Sequence, residues 1–150
     1  MIKFGKPVPA DVETRLPSLM DALKADNEIH AVWLFGSRAR NESDTLSDVD
    51  LAVLVRDDLS GRALWDRQLA WTRLAGETLR TDEVAIQVVN RLPAAPRYQV
   101  LKGARLLWAR SPEVAADFDA RTLKEYLDFK PSVDRYDREL FEQAVTGRLR

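Results

Sequence analysis

The run Val-Asp-Leu-Ala-Val-Leu-Val at residues 49–55 is the feature that most limits how this chain can fold. It is apolar, rich in β-branched residues and followed by two aspartates, so we interpret it as a buried strand. Short apolar runs predict three further strands, at 30–35, 84–89 and 105–109. Helical spacing of apolar residues predicts helices at 11–25, 60–79, 93–102 and beyond 111. The alternation predicts an α/β (α+β) fold, in which helices flank a small mixed β-sheet.

Prolines and capping residues indicate where these helices begin and where they are interrupted. Pro17 is expected to interrupt the first helix or to mark its first turn, because proline lacks the N–H donor that an interior position needs. For the same reason we expect a break near Pro131 in the last helix. Ser60 is predicted to cap the long central helix. The segment 111–113, Ser-Pro-Glu, is typical of a helix start.

Composition excludes several classes of protein. The 150 residues carry 23 Lys and Arg against 24 Asp and Glu, so the broad basic field of a nucleic-acid-binding protein is absent. There is no cysteine, which excludes disulfides, thiolate metal sites and cysteine nucleophiles. No segment approaches the ~20 consecutive apolar residues of a membrane span, and the first residues do not resemble a signal peptide. We therefore expect a cytoplasmic protein that contacts neither a membrane nor, directly, a nucleic acid.

The polar segment between the first two predicted strands, with the residues at its two ends, contains the candidate functional residues. Gly36-Ser37 ends one strand, and a residue without a side chain lets backbone amides and a hydroxyl approach an anion closely. Ten residues later, Asp48 and Asp50 begin the next strand, where residues two apart point to the same face. Two carboxylates held together favour a divalent cation such as Mg²⁺, which also binds phosphate oxygens. The pattern indicates a nucleoside triphosphate site for phosphoryl transfer.

Residues 36–40 (Gly-Ser-Arg-Ala-Arg) and 47–51 (Ser-Asp-Val-Asp-Leu) resemble the signature of the minimal nucleotidyltransferases (MNT), a branch of the polymerase-β-like superfamily. Residues 92–103, with the strand 104–108 after them, are similar to the second half of that family. The resemblance implies a nucleotidyltransferase core at 1–110, with a C-terminal helical extension at 111–150 that packs on the same domain. It also implies that ATP donates AMP to an acceptor hydroxyl and that pyrophosphate leaves.

The same resemblance assigns the site and the partner. Asp48 and Asp50 would hold Mg²⁺, and Ser37 would contact the triphosphate beside Gly36. Arg38 and Arg40 lie in the same segment, where they would neutralise phosphate charge. Members of the family act as antitoxins of HEPN-domain ribonuclease toxins, and some place AMP on a tyrosine of the toxin. A HEPN toxin is therefore the expected partner, and homo-oligomer formation is left open.

One position departs from the pattern of the family. The superfamily uses a third carboxylate from a later strand, and counting back five residues from Asn90 reaches Ala85. Glu83 is the substitute that we assign, because it lies one pleat repeat of roughly 7 Å away on the same face; Asp82 is expected to point the other way. The alternative is a weakened or inactive antitoxin that neutralises its toxin by binding alone. A third alternative is transfer to a hydroxyl of a small molecule.

Overall fold

The computed structural model describes residues 8–36, 38, 39 and 48–146, with Val133 described by its backbone only. The helices and strands follow the predicted order. In chain order they are α1 (Val12–Leu23), β1 (Ile29–Phe35), β2 (Val49–Val55), α2 (Gly61–Leu79), β3 (Val84–Val88), a 3-10 turn (Val89–Arg91), α3 (Ala94–Leu101), β4 (Arg105–Ala109) and α4 (Pro112–Thr146). No helix in these described ranges is both long and apolar enough to cross a membrane.

The four strands form one sheet in the order β3-β2-β1-β4. β1 is antiparallel to both of its neighbours, β2 and β4, whereas β2 and β3 run parallel. The sheet is therefore mixed and small, which confirms the predicted fold class. β1 and β2 are central and almost completely buried, as their continuous apolar runs indicated.

Both faces of the sheet are covered, each by its own cluster of buried side chains. Val49, Leu51 and Val53 of β2 belong to the cluster that also holds the buried residues of α1 and α2. Ala52 and Leu54, which alternate with them, belong to the other cluster, with Trp33 of β1 and Phe118 of α4. The alternation along β2 thus defines a face covered by α1 and α2 and a face covered by α3 and α4.

Arg97 joins α3 to α4 on the second face. Its side chain is buried, and it donates from Nε to Thr122 Oγ1 at 3.0 Å and pairs with Glu125. Its guanidinium also lies 5.5 Å from the centroid of the Phe118 ring. Burial, and then repulsion from Arg121, lower the pKa of Arg97, but a guanidinium stays charged in a protein. A paired, hydrogen-bonded charge therefore fixes how the inner half of α4 lies against α3.

Neither proline breaks its helix, which corrects two expectations. Pro17 is the sixth residue of a continuous α1, and Pro131 lies inside a continuous α4 of 35 residues. A proline deprives the carbonyl four residues earlier of its partner. Here those carbonyls belong to Glu13 and Leu127, and both residues are exposed. Water can therefore satisfy them, and the helices continue.

The apolar face of α2 is narrower than its sequence indicates. Leu64 and Trp71 are buried, but Trp65 is 57% exposed and Leu69 50% exposed. The apolar runs of the sequence predict core packing for Trp33, Trp65 and Trp71. The structure confirms this for Trp33 and Trp71, whereas for Trp65 the prediction is wrong, because only one stripe of α2 contacts the sheet. Ser60 does occupy the N-cap position of α2, yet its side chain makes no capping hydrogen bond. Ser111 does cap α4, accepting from the backbone N–H of Val114 at 3.2 Å.

Asn90 fixes the far end of β2. Its side-chain Oδ1 accepts from the backbone N–H of Val55 at 2.9 Å, and its Nδ2 donates to the carbonyl of Val55 at 2.8 Å. The amide thereby continues the ladder between β2 and β3 beyond the last residue of β3. This pair of hydrogen bonds holds the 3-10 turn that leads into α3.

We expect Asn90→Ala to lower the free energy of unfolding by about 1–3 kcal/mol, because it leaves two backbone groups of a buried residue without partners. Denaturant unfolding followed by circular dichroism measures the change. Gln99→Ala, at an exposed position of α3, is the matched control and should change stability by less than about 0.5 kcal/mol. Equal stability of the two variants would contradict this role of Asn90.

Candidate functional site

Gly36 turns the chain where β1 ends. Its φ angle is +76°, in the left-handed region that favours glycine. The residue before it, Phe35, pairs with Asp50 of the antiparallel neighbour β2. The pairing register therefore brings the end of one strand to the beginning of the next, which places the Gly36 turn beside the first carboxylates of β2.

Asp48 and Asp50 lie at the beginning of β2. Asp48 directly precedes the strand and is exposed, whereas Asp50 is its second residue and is partly buried. Asp50 alternates with Val49 and Leu51, so it shares the face of Ala52 and Leu54, which α3 and α4 cover further along the sheet. Both acidic residues thus lie at one end of β2, and their predicted joint role as metal ligands remains a prediction.

The Asp50 carboxylate lies against Gly36. A Cβ atom added to Gly36 would stand 2.6 Å from Asp50 Oδ2, closer than non-bonded atoms approach. The positive φ angle favours glycine at position 36, and a side chain there would also displace the Asp50 carboxylate. The Asp50 carboxylate and the backbone of Gly36 are therefore in direct proximity at the end of β1.

Three paired residues lie side by side across the sheet and form a row: Phe35 of β1, Asp50 of β2 and Ala85 of β3. Ala85 pairs with Asp50, as Phe35 does on the other side. Phe35 is a member of this row that sequence reasoning missed, because only the pairing register shows which residues lie beside Asp50. Ala85 is exposed, so the row consists of an aromatic ring, a carboxylate and a methyl group.

Glu83 lies one step before β3. Its carbonyl accepts from the backbone N–H of Val49 at 2.9 Å, and its own N–H donates to Thr81 Oγ1 at 3.1 Å. These bonds extend the parallel ladder by one residue and place Glu83 beside Asp48, not in the row of Asp50. Its role as a third catalytic carboxylate remains a prediction.

The carboxylates fit one hard cation. Across the described ranges, no group of three or more His, Asp or Glu side chains is arranged to hold a metal ion. Mg²⁺ does not require one, because it is commonly bound through one or two carboxylates plus the phosphates of its substrate. Asp48 and Asp50 supply that number of carboxylates.

The segment between β1 and β2 is described only in part. Arg38 is buried, with 7% of its surface exposed, and belongs to a turn with Ala39. Ser37 and Arg40, both predicted to bind phosphate, lie outside the described residues, so their roles stay predictions. The role predicted for Arg38, neutralising phosphate charge, likewise stays a prediction.

Comparison with known proteins identifies the family. The profile of the family described as polymerase beta, nucleotidyltransferase matches residues 18–113, which is more than half of the chain and includes the whole site. The chain belongs to this nucleotidyltransferase family. The matched range includes Gly36, Asp48 and Asp50, and the roles predicted for these residues remain predictions. No curated protein sequence matches the chain.

Chains of solved toxin–antitoxin structures share the fold of this chain. A toxin–antitoxin structure with AMP-PNP matches 86% of this chain and 98% of its own, with 19% identity and a TM-score of 0.67. An MNT antitoxin in complex with a tri-AMPylated HEPN toxin, from Shewanella oneidensis, matches 87% and 98%, with 18% identity and a TM-score of 0.66. The MntA–HepT toxin–antitoxin structure gives 16% identity and a TM-score of 0.65, with 86% and 98% covered. Identities this low show a common fold.

We expect Gly36→Ala to weaken binding of an ATP analogue with Mg²⁺ by about tenfold or more, which corresponds to about 1.4 kcal/mol. The added methyl group displaces the Asp50 carboxylate. Gly103→Ala is the matched control, because Gly103 has a φ angle of +73° and a Cβ there meets nothing within 4 Å. Both variants should lose about 1–2 kcal/mol of stability through backbone strain, but only Gly36→Ala should lose affinity in calorimetric titration. Equal binding by both would show that the contact with Asp50 is irrelevant to the site.

Proposed function

We propose that this nucleotidyltransferase is an antitoxin that binds ATP with Mg²⁺ and transfers AMP to a hydroxyl group of a HEPN toxin, a tyrosine being the expected acceptor. The observation that carries the proposal is the position of the Asp50 carboxylate against the Gly36 turn, with Asp48 two residues before it at the same strand end. That arrangement supplies metal ligands and an anion-binding backbone at one strand end. We place this reaction in the cytoplasm, where ATP is available.

The reaction requires a balanced exchange at one phosphorus atom. The acceptor oxygen forms a bond to the α-phosphorus, and the bond from that phosphorus to the bridging β-phosphate oxygen breaks. Pyrophosphate leaves, and the hydroxyl proton passes to solvent or to a nearby carboxylate. Bound Mg²⁺ supplies charge neutralisation of the phosphates. The chain contributes Asp48 and Asp50 as metal ligands, while Arg38 and Arg40 are the residues that we assign to the phosphate charge.

The partner is proposed from the structural neighbours. They include complexes with toxins, one of which contains AMP-PNP and another a tri-AMPylated HEPN toxin. The chain is similar to these antitoxins over almost their whole length. A protein acceptor is therefore favoured over a small molecule.

We expect Asp48→Asn and Asp50→Asn each to lower AMP transfer to the cognate HEPN toxin by about a hundredfold or more, because each removes a metal ligand. Transfer of label from α-³²P-ATP measures the rate. Asp57→Asn is the matched control, since Asp57 is an exposed acid just beyond the opposite end of β2, and it should leave transfer unchanged. Full activity of both site variants would refute the proposed chemistry.

A second candidate is neutralisation of the toxin by binding alone. Ala85, next to Asp50 where the superfamily has a carboxylate, is the observation that favours it. The double variant Asp48→Asn with Asp50→Asn separates the two functions, because binding alone needs no metal. Loss of neutralisation in that variant supports AMP transfer, and full neutralisation supports binding alone.

The outer half of α4 offers a surface for the toxin. Its inner half contacts the sheet through Ala115 and Phe118. Beyond Tyr126 nearly every described side chain is exposed, and several of these are large and apolar, with Tyr136 61% and Phe141 69% exposed. Apolar side chains concentrated on one helix away from the core are typical of a protein–protein contact.

We expect the double variant Tyr136→Ser with Phe141→Ser to bind the toxin about tenfold or more weakly, because aromatic side chains contribute strongly at interfaces. Its thermal unfolding should match that of the parent, since both residues are exposed. Arg135→Ala with Glu142→Ala, also exposed on α4, is the control. Unchanged affinity, measured by surface plasmon resonance, would exclude this half of α4 from the interface.

A further inference from the structure

The position that faces Asp50 on β3 lacks a carboxylate. Ala85 is the direct partner of Asp50 in the parallel ladder. Partners in neighbouring strands stand about 4.8 Å apart and point to the same face, so a carboxyl group at position 85 would reach the ligand group of Asp48 and Asp50. Ala85 is exposed, and a larger side chain can therefore be accommodated there. The sheet thus has the place for a third carboxylate but not the group.

Two carboxylates and three carboxylates serve different numbers of cations. One Mg²⁺ is satisfied by one or two protein carboxylates and the phosphates. A two-metal site clamps both the attacking and the leaving oxygen, with the ions about 3.5–4 Å apart, and two ions so close need additional negative ligands to offset their repulsion. On the sheet of this chain, the ligand for that second ion would have to come from position 85.

Glu83 does not fill the same place. Its backbone is tied to Val49 and to Thr81, which sets it beside Asp48, one residue before the start of β3. Within the described part of the chain, Glu83 does not join Asp48 and Asp50 in a three-carboxylate group. A carboxylate at position 85 would therefore lie beside Asp50, whereas Glu83 lies beside Asp48.

We propose that the site binds its nucleotide with a single divalent cation, that Ala85 is the reason, and that a carboxylate at position 85 creates the second cation position and accelerates transfer. This inference rests on the proposed function, because it concerns the same nucleotide site. Ala85 is then the residue that sets how fast the chain transfers AMP, while ligation of the first cation by Asp48 and Asp50 is unaffected by it.

The test counts Mn²⁺ ions, by electron paramagnetic resonance, on protein saturated with α,β-methylene-ATP, which cannot donate AMP. The parent chain should take up one Mn²⁺ per bound nucleotide, and Ala85→Asp should take up two. Ala85→Asn adds the same shape without the charge, and Gln87→Asp adds the same charge one pleat further along the exposed face of β3. Both controls should bind one.

Thermal unfolding gives a readout that needs no nucleotide. Three neighbouring carboxylates repel one another, so Ala85→Asp should unfold at a lower temperature than the parent without a cation. Mg²⁺ should raise its Tm more than it raises that of the parent or of Gln87→Asp. An equal Mg²⁺ response in all three proteins would overturn the inference. The same measurement without cation shows directly that the variant folds.

AMP transfer to the toxin completes the experiment. Ala85→Asp should transfer about tenfold faster or more, because a second cation would stabilise the attacking oxygen while the first is held on the phosphates, and Gln87→Asp should not. Two Mn²⁺ ions on the parent chain, or no gain of an ion in Ala85→Asp, would overturn the inference and leave the proposed function standing. Failure of both the parent and Ala85→Asp to bind α,β-methylene-ATP would refute the proposed function itself.

Discussion

The antiparallel pairing of β1 with β2 is the constraint on which the site depends. Both strands are buried on two faces, so the register between them is held by core packing on both sides of the sheet. A slip of one residue would turn every side chain of β2 to the opposite face. Asp50 would then point toward the buried side chains under α1 and α2. The hydrophobic core thus fixes the place where the charged residues meet.

The same pairing brings together the residues of the proposed nucleotide site. The register sets Phe35 next to Asp50 and the Gly36 turn against its carboxylate. On the other side of Asp50, β3 places Ala85 next to it. Residues from three neighbouring strands and a turn thereby lie side by side at one edge of the sheet. We therefore expect single residues of this row, such as Ala85, to determine how many cations the site binds.

Sequence patterns predicted the features that depend on local chemistry. The order of helices and strands, the mixed sheet and the two aspartates at the beginning of β2 could be predicted, because apolar periodicity and motif spacing determine them. Features that depend on which residues are exposed to solvent could not be predicted from the sequence. Trp65 and Trp71 lie on one predicted stripe of α2, but only Trp71 reaches the core. Pro131 was expected to break α4, yet water can satisfy the carbonyl that it leaves free. Which residues flank Asp50 follows from strand register, which a sequence does not show.

Calorimetric titration of the parent chain with α,β-methylene-ATP, with and without Mg²⁺, tests the central claim most directly. The claim is that the Gly36 turn and the carboxylates of β2 form a metal-dependent nucleotide site. Binding of one nucleotide per chain that requires Mg²⁺ is the predicted result. Absence of binding under both conditions, or binding of equal strength without Mg²⁺, would contradict it.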